Sequence, residues 1–132
     1  MELLEKVRKA KRVYIIGNGG SYANAIHIQN DLLGKGVRAF TLDPATLTAT
    51  ANDYGYEFVY SRWIDVVGER GDLLVALSGS GKSKNILNAI ETAEEKGMEV
   101  AKVFGAPYFD MQTAEEHQVW LGHEVMRSLS GR

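Results

Sequence analysis

Arg12-Val13-Tyr14-Ile15-Ile16-Gly17-Asn18-Gly19-Gly20-Ser21 runs from a β-branched apolar segment through three glycines to a serine placed as an N-cap. Tyr22-Ala23-Asn24-Ala25-Ile26-His27-Ile28-Gln29-Asn30-Asp31-Leu32-Leu33 then follows with the composition of a helix. A strand that breaks into a Gly-rich turn and enters a helix N-terminus is suited to anions. Glycine allows close backbone approach, and the unpaired N–H groups and the helix dipole favour negative charge. His27 and Asp31 are four residues apart and share a face of that helix, as a metal or proton-transfer pair requires.

Outward from this unit the chain alternates strand and helix. Met1–Ala10 has the spacing of a short amphipathic helix, and the helix beginning near Ser21 is predicted to stop at Gly34. Val37–Leu42 reads as a second strand. Thr46–Ala51 reads either as a strand, by its β-branched residues, or as a helix with Pro44 at its first position. Asn52-Asp53-Tyr54-Gly55 reads as a turn and Glu57–Val67 as a helix closed by Gly68. Leu73–Leu77 is a buried strand entering a second Ser/Gly turn, Ser78-Gly79-Ser80-Gly81-Lys82-Ser83, and a helix follows to Gly97. Val100–Phe104 is a fourth strand, and Thr113–Leu129 a last helix carrying Glu115, Glu116, His117 and His123. The alternation implies a parallel sheet, with both Gly/Ser turns at the carboxyl ends of strands, where such sheets bind ligands.

The 132 residues suit one domain over 1–132, with 45% hydrophobic and 24% charged residues. A net charge of −2 gives no electrostatic footprint for nucleic acid. The absence of cysteine excludes thiolate zinc sites and thiol nucleophiles. No apolar run approaches the ~20 residues of a membrane span, and the first residues do not read as a secretory signal. The expectation is a cytoplasmic protein with neither nucleic-acid nor membrane partners.

An isolated Gly/Ser turn is as readily a plain tight loop, but two that both offer hydroxyls favour a shared phosphate site. Two nucleotide patterns are set below that reading. Tyr22 stands where a dinucleotide fingerprint has its third glycine, although Asp43 could mimic the ribose-binding acid. Ala76–Ser83 matches a phosphate-loop pattern at every fixed position except its first glycine, and no later strand ends in a magnesium-binding Asp. Glu115 and His123 add a carboxylate and an imidazole to His27 and Asp31, a set suited to a zinc-type ion or to proton shuttling.

In order, Gly17-Asn18-Gly19-Gly20-Ser21, His27-x-x-x-Asp31-Leu32-x-Gly34, Ala51-Asn52-Asp53-Tyr54-Gly55-Tyr56, Phe58-x-Tyr60-Ser61-Arg62, Gly71-Asp72-x-Leu74 and Ser78-x-Ser80-Gly81-x-Ser83-x-Asn85 resemble the sugar isomerase (SIS) domain, and within it the phosphoheptose isomerases. The resemblance runs from about Arg12 to Val103 and resumes over the last helix. It implies an α/β, three-layer, flavodoxin-like domain with a parallel sheet, a homotetramer with active sites shared between subunits, and a bound zinc ion. The implied reaction converts sedoheptulose 7-phosphate to D-glycero-manno-heptose 7-phosphate through an enediol, for ADP-heptose and lipopolysaccharide core synthesis.

Carried over by position, Ser21, Ser78, Ser80 and Ser83, with the backbone at Gly19, Gly20 and Gly79, would hold the phosphate. Asn18, Asn52 and Asp53 would meet the sugar. Asp31 falls on the catalytic glutamate and His123 on the acid/base histidine. His27, Asp31, Glu115 and His123 would hold the metal, with Glu115 also near substrate on a position the family gives to Gln. The departures are specific. Asp31 is one methylene shorter than Glu, which can cost about a hundredfold if the base is misplaced. Gly79 stands for Thr and Lys35 for Arg. The family's long N-terminal helix is almost absent, and a strand between Gly105 and the last helix is missing, which leaves about four strands. The alternative function is a non-catalytic, phosphosugar-binding or partner-binding SIS domain.

Overall fold

The computed structural model describes residues 1–129. Its elements are α1 (Glu2–Lys9), β1 (Val13–Ile16), α2 (Gly20–Gly34), β2 (Ala39–Thr41), α3 (Pro44–Tyr54), a 3-10 turn (Tyr56–Phe58), α4 (Val59–Val67), β3 (Leu73–Ser78), α5 (Lys84–Glu95), β4 (Glu99–Phe104) and α6 (Met111–Ser128). The four strands form one parallel sheet in the order β2-β1-β3-β4.

Consecutive residues of β1 and β3 are all buried, because helices cover both faces. Val13, Ile15, Leu73, Val75 and Leu77 pack with Leu4 and Val7 of α1, Ile28 and Leu32 of α2, and Val125 of α6. Tyr14, Ile16, Leu74 and Ala76 pack on the other face with Tyr60 and Ile64 of α4 and Ile86 and Ile90 of α5. The three-layer, four-stranded α/β expectation therefore holds.

Four local expectations are corrected, and one left open is decided. Ser21 does not cap α2: the cap is Gly19, at φ 56°, and Ser21 lies inside the first turn. β2 is shorter than Val37–Leu42. The ambiguous Thr46–Ala51 is helical, since Pro44 sits at the first turn and the Asp43 carboxylate accepts from the Thr46 N–H at 2.9 Å. The same helix absorbs Asn52, Asp53 and Tyr54, and the predicted 57–67 helix opens instead with a 3-10 turn.

The chain leaves β1 towards β2 on one side, and β3 leads to β4 on the other. The order therefore reverses between the neighbours β1 and β3, and a crevice opens beyond their carboxyl ends. Both Gly/Ser turns lie at that crevice.

Candidate active site

The two turns enclose a small pocket lined by Asn18, Ser21, Ser78, Gly79, Ser80 and Ser83, closed by Leu77 and Met111. None of these side chains is charged. Its polarity is nevertheless one-sided. Ser78 Oγ accepts from the Gly81 N–H (2.9 Å), Ser80 Oγ from the Lys82 N–H (3.0 Å) and Ser21 Oγ from Gln118 Nε2 (3.0 Å). A hydroxyl has a single hydrogen, and each of these three has taken a donor on its lone pairs. Each hydrogen is thus left free for a further acceptor, such as one entering the pocket. The first-turn N–H groups of α2 and α5 add donors with the helix dipoles behind them. Such a cradle fits an oxyanion.

Asn18 Oδ1 accepts from Asn85 Nδ2 (2.9 Å) and from the Tyr56 hydroxyl (2.7 Å), while Asn18 Nδ2 donates to Asn85 Oδ1 (2.8 Å). This reciprocal pair ties the two turns together and leaves Asn18 one free N–H. The Tyr60 hydroxyl donates to the Gly17 carbonyl from α4, and burial raises its pKa above the ordinary 10.0.

On α2 and α6 a second group converges. His27 Nε2 and His123 Nε2 are 3.0 Å apart, and Asp31 Oδ2 lies 3.3 Å from the first and 3.5 Å from the second. Asp31 Oδ2 is buried with no hydrogen bond of acceptable geometry, so its environment asks for a cation. Two imidazoles and a carboxylate are a zinc-type donor set. The three edges place a point about 1.9 Å from every donor atom, close to the ~2.0–2.2 Å of zinc bonds to nitrogen and oxygen. The residues fit a divalent ion, and the shorter arm of Asp31 still reaches both rings.

Glu115 is not in that group. Its carboxylate lies over Gly20, in the space a Cβ there would take, so Gly20 gives the room that Glu115 occupies at the N-terminus of α2. Asn52 and Asp53 are exposed at the end of α3, bonded to one another at 3.2 Å, and do not line the pocket. Met111 stands where a side chain on Gly79 would begin: its Sδ is 2.7 Å from where a Cβ would be. Sequence reasoning assigned no role to Gln118, Asn24, Asn85, Tyr56, Tyr60 or Met111. Asn85, Tyr56 and Tyr60 lie within the quoted motifs, whereas Gln118 carries no signal in a single sequence, because its partners are on another helix.

Residues 2–105 match the family described as the SIS domain. A phosphoheptose isomerase from Histophilus somni is 44% identical over 101 residues, which cover 71% of this chain and 52% of that protein. One from Glaesserella parasuis is 37% identical over 110 residues, covering 78% and 57%. The chain thus spans about half the length of these curated relatives. Among solved structures, a phosphoheptose isomerase from Neisseria gonorrhoeae is similar with a TM-score of 0.88 at 28% identity, over 96% of this chain and 80% of that one.

Proposed function

The chain belongs to the SIS domain family, and from that footing we propose that it is a phosphoheptose isomerase interconverting sedoheptulose 7-phosphate and D-glycero-manno-heptose 7-phosphate. One observation carries the reading: α2 holds the hydroxyl and N–H cradle at its first turn and the His27/Asp31 pair further along the same rod. From Ser21 to His27 the helix rises about 9 Å, a span that a heptose 7-phosphate bridges from its phosphate to its carbonyl end.

With the phosphate held by Ser21, Ser78, Ser80, Ser83 and the backbone at Gly19, Gly20 and Gly79, the C1–C2 end of the sugar meets Asp31 and His123. Asp31 Oδ2 faces the imidazoles, which leaves Oδ1 as the basic atom. It removes the proton from the carbon beside the carbonyl and returns it to the neighbouring carbon. His123 moves the proton between the two sugar oxygens, so the enediol collapses to the other isomer. His27, Asp31 and His123 would hold a divalent ion, zinc in this proposal, which would supply Lewis-acid polarisation of those oxygens. Glu115 lies beside the cradle at Gly20, away from the histidines, where it would meet substrate. Asn18 offers its free N–H to a sugar hydroxyl.

In this reading the residues 1–132 form one SIS domain that works in the cytoplasm at the entry to ADP-heptose and lipopolysaccharide core synthesis. It does so as a homotetramer in which the exposed Asn52 and Asp53 serve a neighbouring subunit's sugar. Among the described residues no helix is long and apolar enough to cross a membrane. The test is turnover: zinc-loaded protein should convert sedoheptulose 7-phosphate to the aldose. Stabilisation by the sugar phosphate with no turnover under metal-replete conditions would favour the non-catalytic binding domain instead.

A further inference from the structure

Gln118, on the buried side of α6, is a polar side chain that the isomerisation itself leaves without a task. It is 2% exposed, and its partner Ser21 is 4% exposed. Its other surroundings are apolar, with Ile28, Leu77, Leu121 and Val125 around the same small cavity. A primary amide in such a place is costly unless both of its ends are bonded.

Both ends are bonded, and in one sense only. The Glu115 backbone carbonyl can only accept, so the amide nitrogen of Asn24, 3.0 Å away, must face it. The same nitrogen donates to Gln118 Oε1 at 2.9 Å. Gln118 therefore turns its NH2 towards Ser21 Oγ at 3.0 Å. The Ser21 hydroxyl becomes an acceptor on that side, and its hydrogen has no acceptor among the described residues except what enters the pocket. Ser78 and Ser80 are set in the same sense by N–H groups of their own turn. Ser21, inside the first turn of α2, has no such local donor and takes one from α6.

We infer that Gln118 is a positioning residue of the phosphate cradle: its amide fixes the Ser21 hydroxyl as a donor towards the bound oxyanion. The inference rests on the reading of the pocket as a phosphate site. It also makes the α2–α6 seam common to both halves of the site, since Asn24 and Gln118 precede His27 and His123 on the same two helices.

The test measures inorganic phosphate binding to the full chain by calorimetry, together with kcat and KM for sedoheptulose 7-phosphate. Gln118→Glu keeps an acceptor for Asn24 but replaces the donor facing Ser21 with an acceptor, so the Ser21 hydrogen turns away from the pocket. Phosphate affinity should fall at least about tenfold and KM should rise by a similar factor, with a smaller change in kcat. Gln118→Met, which keeps the volume and frees the hydroxyl to rotate, should lose only a few-fold and serves if the carboxylate variant does not fold. In a Ser21→Ala background the neutral Gln118→Met should change phosphate affinity no further, an outcome that a merely structural role would not produce. Wild-type binding combined with phosphate affinity unaltered in both Gln118 variants, or with an equal loss from Gln118→Met in the Ser21→Ala background, would overturn this inference alone. A wild type that binds neither phosphate nor sugar phosphate would overturn the phosphate reading and the inference with it.

Discussion

Asp31 shows how a single methylene is accommodated. The shorter carboxylate still lies within 3.5 Å of both imidazoles, because His27 is one turn away on the same helix and α6 brings His123 across to it. Asp31→Ala and His123→Ala should each lower kcat by at least about a hundredfold, the lower range for a lost acid/base group, with phosphate affinity retained; parallel turnover and phosphate titrations check both halves. Gly79 is a second local adjustment. Gly79→Thr would push its Cβ to 2.7 Å from Met111 Sδ, and overpacking of this kind costs about 1–3 kcal/mol. Because the obstacle is the end of a flexible side chain, adding Met111→Ala should recover most of that loss, as a denaturation double-mutant cycle would show. His27 and Asp31 could be paired from the sequence by residue type and spacing, whereas joining His123 to them rested on the family resemblance. The Met111 contact could not, because it joins residues 32 positions apart on elements whose packing the sequence does not state.

At the scale of elements, the strongly periodic segments were readable and their ends were not. α3 is the instructive case: it has no buried residue, so its β-branched content and its capping signals competed without a core to arbitrate. The cap prevailed. Hydrogen bonds from Thr46 hold the Asp43 carboxyl below the usual carboxylate range. A depressed value means that this contribution is present above the unfolded-state pKa and is lost as pH falls through the folded-state one. Amide exchange in α3 should therefore quicken relative to α5 as pH drops below about 3.8 once intrinsic rates are divided out, and Asp43→Ala should quicken it above that range, with the difference from wild type shrinking as pH falls. The 3-10 turn at Tyr56–Phe58 likewise eluded the pattern. Its place in the fold is tied to the Tyr56 bond to Asn18, a partner 38 residues away.

For the whole molecule, two seams hold the site. α4 reaches the first turn through the buried Tyr60 hydroxyl, whose raised pKa has a definite sign. Up to about pH 10 both folded and unfolded chains keep the proton; above that the unfolded chain releases it first, so stability falls as pH rises. Tyr60→Phe should lower stability near neutrality by about 1–3 kcal/mol, the cost of an unpaired buried carbonyl, yet make the alkaline decline shallower in denaturant midpoints. The α2–α6 seam should respond to metal: zinc raises the melting temperature, chelation reverses it, and the shift disappears in His27→Ala. The sequence by itself determined the alternation of strands and helices, the two Gly/Ser turns and the placing of His27 and Asp31 on one helix face, since these depend on neighbours within a few residues. Only the tertiary structure decided that Ser21 lies inside its helix with its hydrogen free, that Glu115 lies over Gly20 rather than with the histidines, and that Gln118 joins the cradle. Those outcomes depend on the approach of α6 to α2, a contact between segments some ninety residues apart that no local pattern encodes.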